Sequence, residues 1–117
     1  KIDLKCYNCH HFFECKPFYL PIDYCNKLER YKLFGNFCSP NCVKSYSLND
    51  MIFQHKSYII GQFYRKLFGY DFQIRAAPSI LTLKEYGGTL TIEEFRKSFY
   101  SNSRYIMSNL SSKMVYY

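Results

Sequence analysis

The chain has 117 residues, 48% hydrophobic and 21% aromatic, with 13 Tyr, 11 Phe and no Trp; this is one domain's worth of sequence and too apolar to be a disordered chain. Its formal charge of +7, from 16 Lys and Arg against 9 Asp and Glu, suits nucleic acid or another polyanion, and equally a plain basic surface. No run of 18 or more apolar residues occurs, Ser57 to Tyr70 being broken by Gln62, Arg65 and Lys66, so no membrane partner is expected.

In chain order, Lys1 stands where a Met would begin a complete chain, which reads as a trimmed N-terminal extension. Ile2 to Lys5 reads as a short strand entering the Cys6-Tyr7-Asn8-Cys9 turn, with Phe12-Phe13-Glu14-Cys15 returning from it. Pro17 and Pro21 mark an extended segment, and Gly35-Asn36 reads as a tight turn between apolar residues. Ser39-Pro40 opens a helix, Ser39 as cap and Pro40 at the first position, with Val43 and Tyr46 continuing it toward Asp50-Met51.

Beyond residue 54 the pattern turns helical. Ile59, Ile60, Phe63, Tyr64, Leu67 and Phe68 form an amphipathic stripe stopped by Gly69. Ala77-Pro78-Ser79 starts a short helix ending at Tyr86-Gly87-Gly88. Thr91 to Glu94 is a capping box, and Phe95, Phe99 and Tyr100 give the last helix its apolar face. The tail from about Ser101 is rich in Ser and Asn and reads as loose. Every Cys and two of the three His lie in the first part, residues 1–54, with His55 just past its end; residues 55–117 are expected to pack on it as a helical part.

Cys6-x2-Cys9 and Cys38-x3-Cys42, 28 residues apart, carry the strongest chemistry. Zinc takes four tetrahedral ligands, and thiolate sulfur suits it. A two-residue spacer in a tight turn aims two sulfurs at one ion. Cys38 and Cys42 flank a helix start, whose positive end favours the thiolate. A turn knuckle plus a helix N-terminus is a treble-clef-like zinc site, so the fold class is α+β: a β-hairpin knuckle and helix, then a mainly helical part. With six cysteines a disulfide framework is the alternative. His10 or His11 could stand in for Cys9 or, with Cys15 and Cys25, form a second incomplete site; otherwise Cys15 and Cys25 read as small buried hydrophobes and His55 as a surface residue. A closed four-cysteine site leaves no open position for water, so the one Zn2+ is structural.

Composition adds a hint of origin. Phe, Tyr, Met, Ile, Asn and Lys total 54 residues against 16 for Gly, Ala, Arg and Pro, the bias of an AT-rich genome such as that of a parasite or a large DNA virus.

Phe37-Cys38-Ser39-x-x-Cys42 resembles the motif of FCS-type zinc fingers. With Cys6-x2-Cys9, an aromatic and Lys16-Pro17, the order is similar to the late transcription factor 2 family of poxviruses and other large cytoplasmic DNA viruses. Ala77-Pro78-Ser79, Leu83, Tyr86-Gly87-Gly88 and Ile92-Glu93-Glu94-Phe95-Arg96 resemble a block of its non-poxvirus members, the African swine fever virus member being nearest. The resemblance implies zinc ligands at Cys6, Cys9, Cys38 and Cys42, and a factor for late viral transcription in the host cell cytoplasm, at the virus factory. Leu20 to Phe34 departs from the family in length and residue type.

Three functions follow. A trans-activator of late genes would use viral RNA polymerase or other transcription factors as partners, together with DNA or RNA. Lys5, Arg30, Lys32, Arg65, Lys66, Arg96 and Lys97 are then the nucleic-acid contacts, with Tyr7, Tyr31 and Tyr64 beside them to stack on bases. The alternative is a protein- or nucleotide-binding adaptor that antagonises host innate immune (interferon) signalling by holding a host signalling protein or an anionic nucleotide. An enzyme is not expected: no Gly-rich phosphate loop is present, and Glu93-Glu94 sit in a helix's first turn, where they favour the dipole.

Overall fold

The computed structural model describes residues 4–69, 73–100 and 114–116. Strands β1 (Phe18–Cys25) and β2 (Arg30–Phe37) form an antiparallel hairpin closed by residues 26–29. The tight turn expected at Gly35-Asn36 is absent, because that pair lies within β2. Phe18 faces Phe37 and Leu20 faces Phe34, so β2 carries one residue more than β1 there. This is a bulge, and Gly35 at φ +76° supplies its left-handed backbone. A Cβ at Gly35 would sit 2.9 Å from the Phe37 ring and 3.0 Å from the Tyr7 ring. The pair bends the strand instead of reversing the chain.

β3 (Met114–Tyr116) runs parallel to β2, Tyr31 facing Met114 and Leu33 facing Tyr116, in the sheet order β1-β2-β3. β1 is thus an edge strand, which accommodates Pro21 and its missing N–H. Residues 101–113 of the expected loose tail lie outside the described residues; 114–116 are strand.

Helix α1 (Pro40–Leu48) opens as the sequence requires, the Ser39 hydroxyl accepting a hydrogen bond from the Cys42 N–H at 3.1 Å. It stops at Leu48, short of Asp50-Met51. Asp50 instead accepts from the Ile52 N–H at 2.8 Å and caps a separate short helix, α2 (Met51–Gln54). Helix α3 (Ser57–Phe68) buries Ile59, Ile60, Phe63 and Tyr64, with Leu67 and Phe68 partly covered. Phe63 meets Tyr31 edge-on at 4.9 Å. The Tyr64 hydroxyl donates to the Tyr19 carbonyl and accepts from the Tyr19 N–H, so a fully buried phenol has its polar end satisfied by the β1 backbone.

Residues 73–79 run extended across α1. Asn41 donates through its amide to the Arg75 carbonyl and accepts at its backbone carbonyl from the Ala77 N–H, while Lys44 donates to the Ile74 carbonyl. In place of one short helix there are two 3-10 turns, Ile80–Thr82 and Lys84–Tyr86, separated by the buried Leu83. The chain then folds back so closely that a Cβ on Gly88 would lie 2.1 Å from the Thr82 carbonyl oxygen. Helix α4 (Ile92–Tyr100) begins with the expected capping box: Glu94 N–H donates to the Thr91 hydroxyl and Thr91 N–H to the Glu94 carboxylate. One hydrophobic cluster runs from Phe18, Leu20 and Phe37 through α3 to Leu83, Phe95 and Phe99.

Candidate metal centre

The knuckle is built by its backbone. Lys5 bridges Phe12, the Cys6 N–H donates to the His11 carbonyl, and the His10 N–H donates to the Cys6 carbonyl. The turn so closed points the N–H groups of Asn8 and Cys9 at the Cys6 sulfur, at 3.4 and 3.5 Å. It is fastened to the hairpin through the Tyr7 N–H on the Asn36 carbonyl and the Tyr7 ring against Phe34, Phe37 and Tyr46. Cys38 ends the β2 side and Cys42 lies in the first turn of α1, brought inward by the Ser39 cap.

These elements gather four sulfurs, all buried, within 4.8 Å of one another. Cys9 and Cys38 are 4.0 Å apart and Cys38 and Cys42 3.6 Å. A disulfide has sulfurs about 2.05 Å apart, and all six cysteines here are free thiols. The four-cysteine set could hold one metal ion, as the spacing predicts. Burial pushes the Cys6 thiol up, and the hydrogen bond with Cys38 pushes up that of Cys42; the same shared contacts pull Cys9 and Cys38 down. Such a cluster resists full ionisation until a cation joins it.

Neither histidine replaces Cys9. His10 is exposed, and His11 lies between the Cys9 carbonyl at 2.7 Å and the Glu85 carboxylate at 3.0 Å. Burial works against a charge on His11, but the bonds to Glu85 and to Cys9 outweigh it and raise its pKa. Cys15 and Cys25 are exposed, contrary to the expectation that they are buried. Cys15 is at the surface with its sulfur 3.5 Å from the Cys38 carbonyl, and Cys25 ends an edge strand at the hairpin turn. His55 is at the surface as expected.

The seven basic residues read as nucleic-acid contacts do not form one face. Lys5 lies over the Phe12 ring at the knuckle. Arg30 and Lys32 point outward from β2, opposite the buried Tyr31. Arg65 folds along its own helix over Gly61, while Lys66 lies over the Tyr24 and Tyr31 rings. Lys97 is exposed on α4. Arg96 turns inward: its Nη2 lies 3.8 Å from the Cys9 sulfur and donates to the Phe12 carbonyl at 2.9 Å. Tyr31 and Tyr64 are core residues, 2% and 0% exposed, so of the three tyrosines expected to stack on bases only Tyr7, 41% exposed, is accessible. The sequence carried a signal for Arg96: with Ile92, Phe95 and Phe99 it falls at i, i+3, i+4 and i+7, within the buried stripe.

Two kinds of relative align with this chain. An uncharacterized protein of African swine fever virus is 30% identical over 121 residues, which cover 96% of this chain and 66% of that protein. An uncharacterized protein of Acanthamoeba polyphaga mimivirus is 31% identical over 107 residues, 85% of this chain and 30% of that protein. The relatives are viral. The chain thus spans just under two thirds of the one relative and under a third of the other. No family model matches the chain, and no solved structure matches it. Among the described residues no helix is long and apolar enough to cross a membrane.

Proposed function

We propose that this chain is a zinc-stapled late transcription factor of a large DNA virus, working by contact with nucleic acid and RNA polymerase in the host cytoplasm. Zinc suits the donor set. A tetrahedral ion with sulfurs at about 2.3 Å has sulfur–sulfur edges near 3.8 Å, and the separations of 3.6 and 4.0 Å bracket that value. Cys6, Cys9, Cys38 and Cys42 would hold the ion and leave no open position, so its chemistry is to hold the knuckle against α1.

The observation that carries the nucleic-acid reading is a groove of about 560 Å³ against the knuckle, lined by Lys5, Tyr7, Asn8, His10, Tyr46 and Asp50 among others. The half-exposed Tyr7 ring offers a face for a base and Lys5 a charge for phosphate. The resemblance of the cysteine pattern and of the Tyr86-Gly87-Gly88 block to viral late factors, and the viral relatives, support the transcriptional role. Binding to single-stranded DNA and RNA, followed by fluorescence anisotropy, should weaken steeply between about 50 and 200 mM salt and fall further with Tyr7→Ala. Salt-insensitive or absent binding at low salt overturns the reading.

A specific feature favours a second reading, a protein-binding adaptor. Met51 and Ile52 on α2 and Tyr58 at the start of α3 are 79%, 75% and 69% exposed. An adaptor of this kind would take a polymerase subunit or a host signalling protein there, and Ile52→Glu would abolish that capture while leaving nucleic-acid binding intact.

A further inference from the structure

Arg96 belongs to a helix 87 positions along the chain from Cys9, yet its guanidinium stands between the Cys9 sulfur and the Phe12 carbonyl. Its Nε is buried with no hydrogen-bond partner. Arg96 is half-buried, and drawing a guanidinium partly out of water with an idle N–H is unfavourable unless a negative charge compensates. The compensating group is at hand. Four thiolates around a divalent ion carry a net charge of about −2, and Arg96 faces that charge directly. The Cys6 sulfur receives backbone N–H groups from its own turn, and the Cys42 segment sits at a helix N-terminus. Cys9 receives a full cation from the opposite half of the chain.

We infer that Arg96 is the outer-sphere cation of the metal centre, so that binding of the ion and docking of α4 onto the knuckle are one coupled event. The inference rests on the proposed zinc reading of the four cysteines. Arg96 touches the Cys9 ligand and not the ion, so it is a positioning residue. The coupling is reciprocal. With the ion bound, the thiolates draw Arg96 inward and α4 follows through Phe95 and Phe99, both buried. With Arg96 removed, the excess negative charge weakens the hold on the ion. Lys at this position would keep the charge but lose the planar guanidinium that sets its Nη2 against sulfur and carbonyl together.

The test uses the whole chain loaded with zinc and, in parallel, with cobalt(II). Competition with a chromophoric chelator measures affinity, and hydrogen exchange reads residues 92–99. Arg96→Met should bind one ion roughly tenfold to a hundredfold more weakly, shift the thiolate-to-cobalt charge-transfer band, and lose metal-dependent protection of α4. Arg96→Lys should recover part of the affinity and of the band position, and serves if the Met variant does not fold. Wild-type affinity and an unshifted band in both variants overturn the inference while leaving the zinc reading standing. A wild-type chain that takes up no metal overturns both.

Discussion

The two halves of the molecule are held together by different means. In the knuckle, hairpin end and α1 start, the innermost groups are four sulfurs, and the backbone around them is aimed by short hydrogen bonds at Cys6, His10 and Tyr7. Around α3 the innermost groups are rings: Tyr64, Phe63 and Phe68 packed on Phe18, Tyr19 and Tyr31. An apolar core tolerates loss in increments, because each side chain contributes separately to burial. A four-ligand centre does not, because three thiolates without the fourth leave buried charge unshared. Failure of the first half should therefore be abrupt, and that of the second graded.

Metal removal gives the largest expected effect. Apparent binding free energies of structural zinc run to about 10–16 kcal/mol, comparable with or above the whole stability of a small domain. Chelation, or Cys42→Ser, should strip amide protection from the knuckle and the start of α1 before α3 opens, as hydrogen exchange would show. Simultaneous loss over both halves would break the division drawn here. Next in size, Phe63→Ala should cost about 3–5 kcal/mol in a urea titration while one metal ion per chain is retained. Loss of metal in that variant would mean the ring core supports the centre directly.

The smallest effect sharpens the contrast through pH. His11 links the knuckle to Glu85 in the second half. Its pKa is raised above the ordinary 6.5, so the charged link contributes fully below about pH 6.5 and fades as pH rises through the raised value. An ion held by the four thiolates would have the opposite sign, since protons displace it and its contribution would be lost on acidification. An NMR titration of the His11 ring should show the raised pKa, and His11→Gln should remove the alkaline loss of protection at residues 80–86 without altering the acid limb.

What could be read in the sequence was local. The Ser39 cap, the Thr91–Glu94 box, the α3 stripe and the two cysteine pairs each depend on residues a few positions apart, and each is present in the fold. The failures share one cause, a partner distant in the chain. Gly35-Asn36 has the chemistry of a turn, and only the extra residue facing β1 makes it a bulge. Tyr31 and Tyr64 lie among basic residues in sequence but against α3 and β1 in space. Arg96 carries the same charge whether it meets phosphate or thiolate. Periodicity put it at the edge of a buried stripe, but the sulfur it faces is fixed only by tertiary packing.

The close approach at Gly88 bears on how such proteins diverge. Any side chain there would overlap the Thr82 carbonyl, so drift at this position is stopped by backbone geometry whatever the molecule binds. Exposed positions such as Met51, Ile52 and Tyr58 are under no such restraint. Among descendants of one ancestor the scaffold would persist while the partners change.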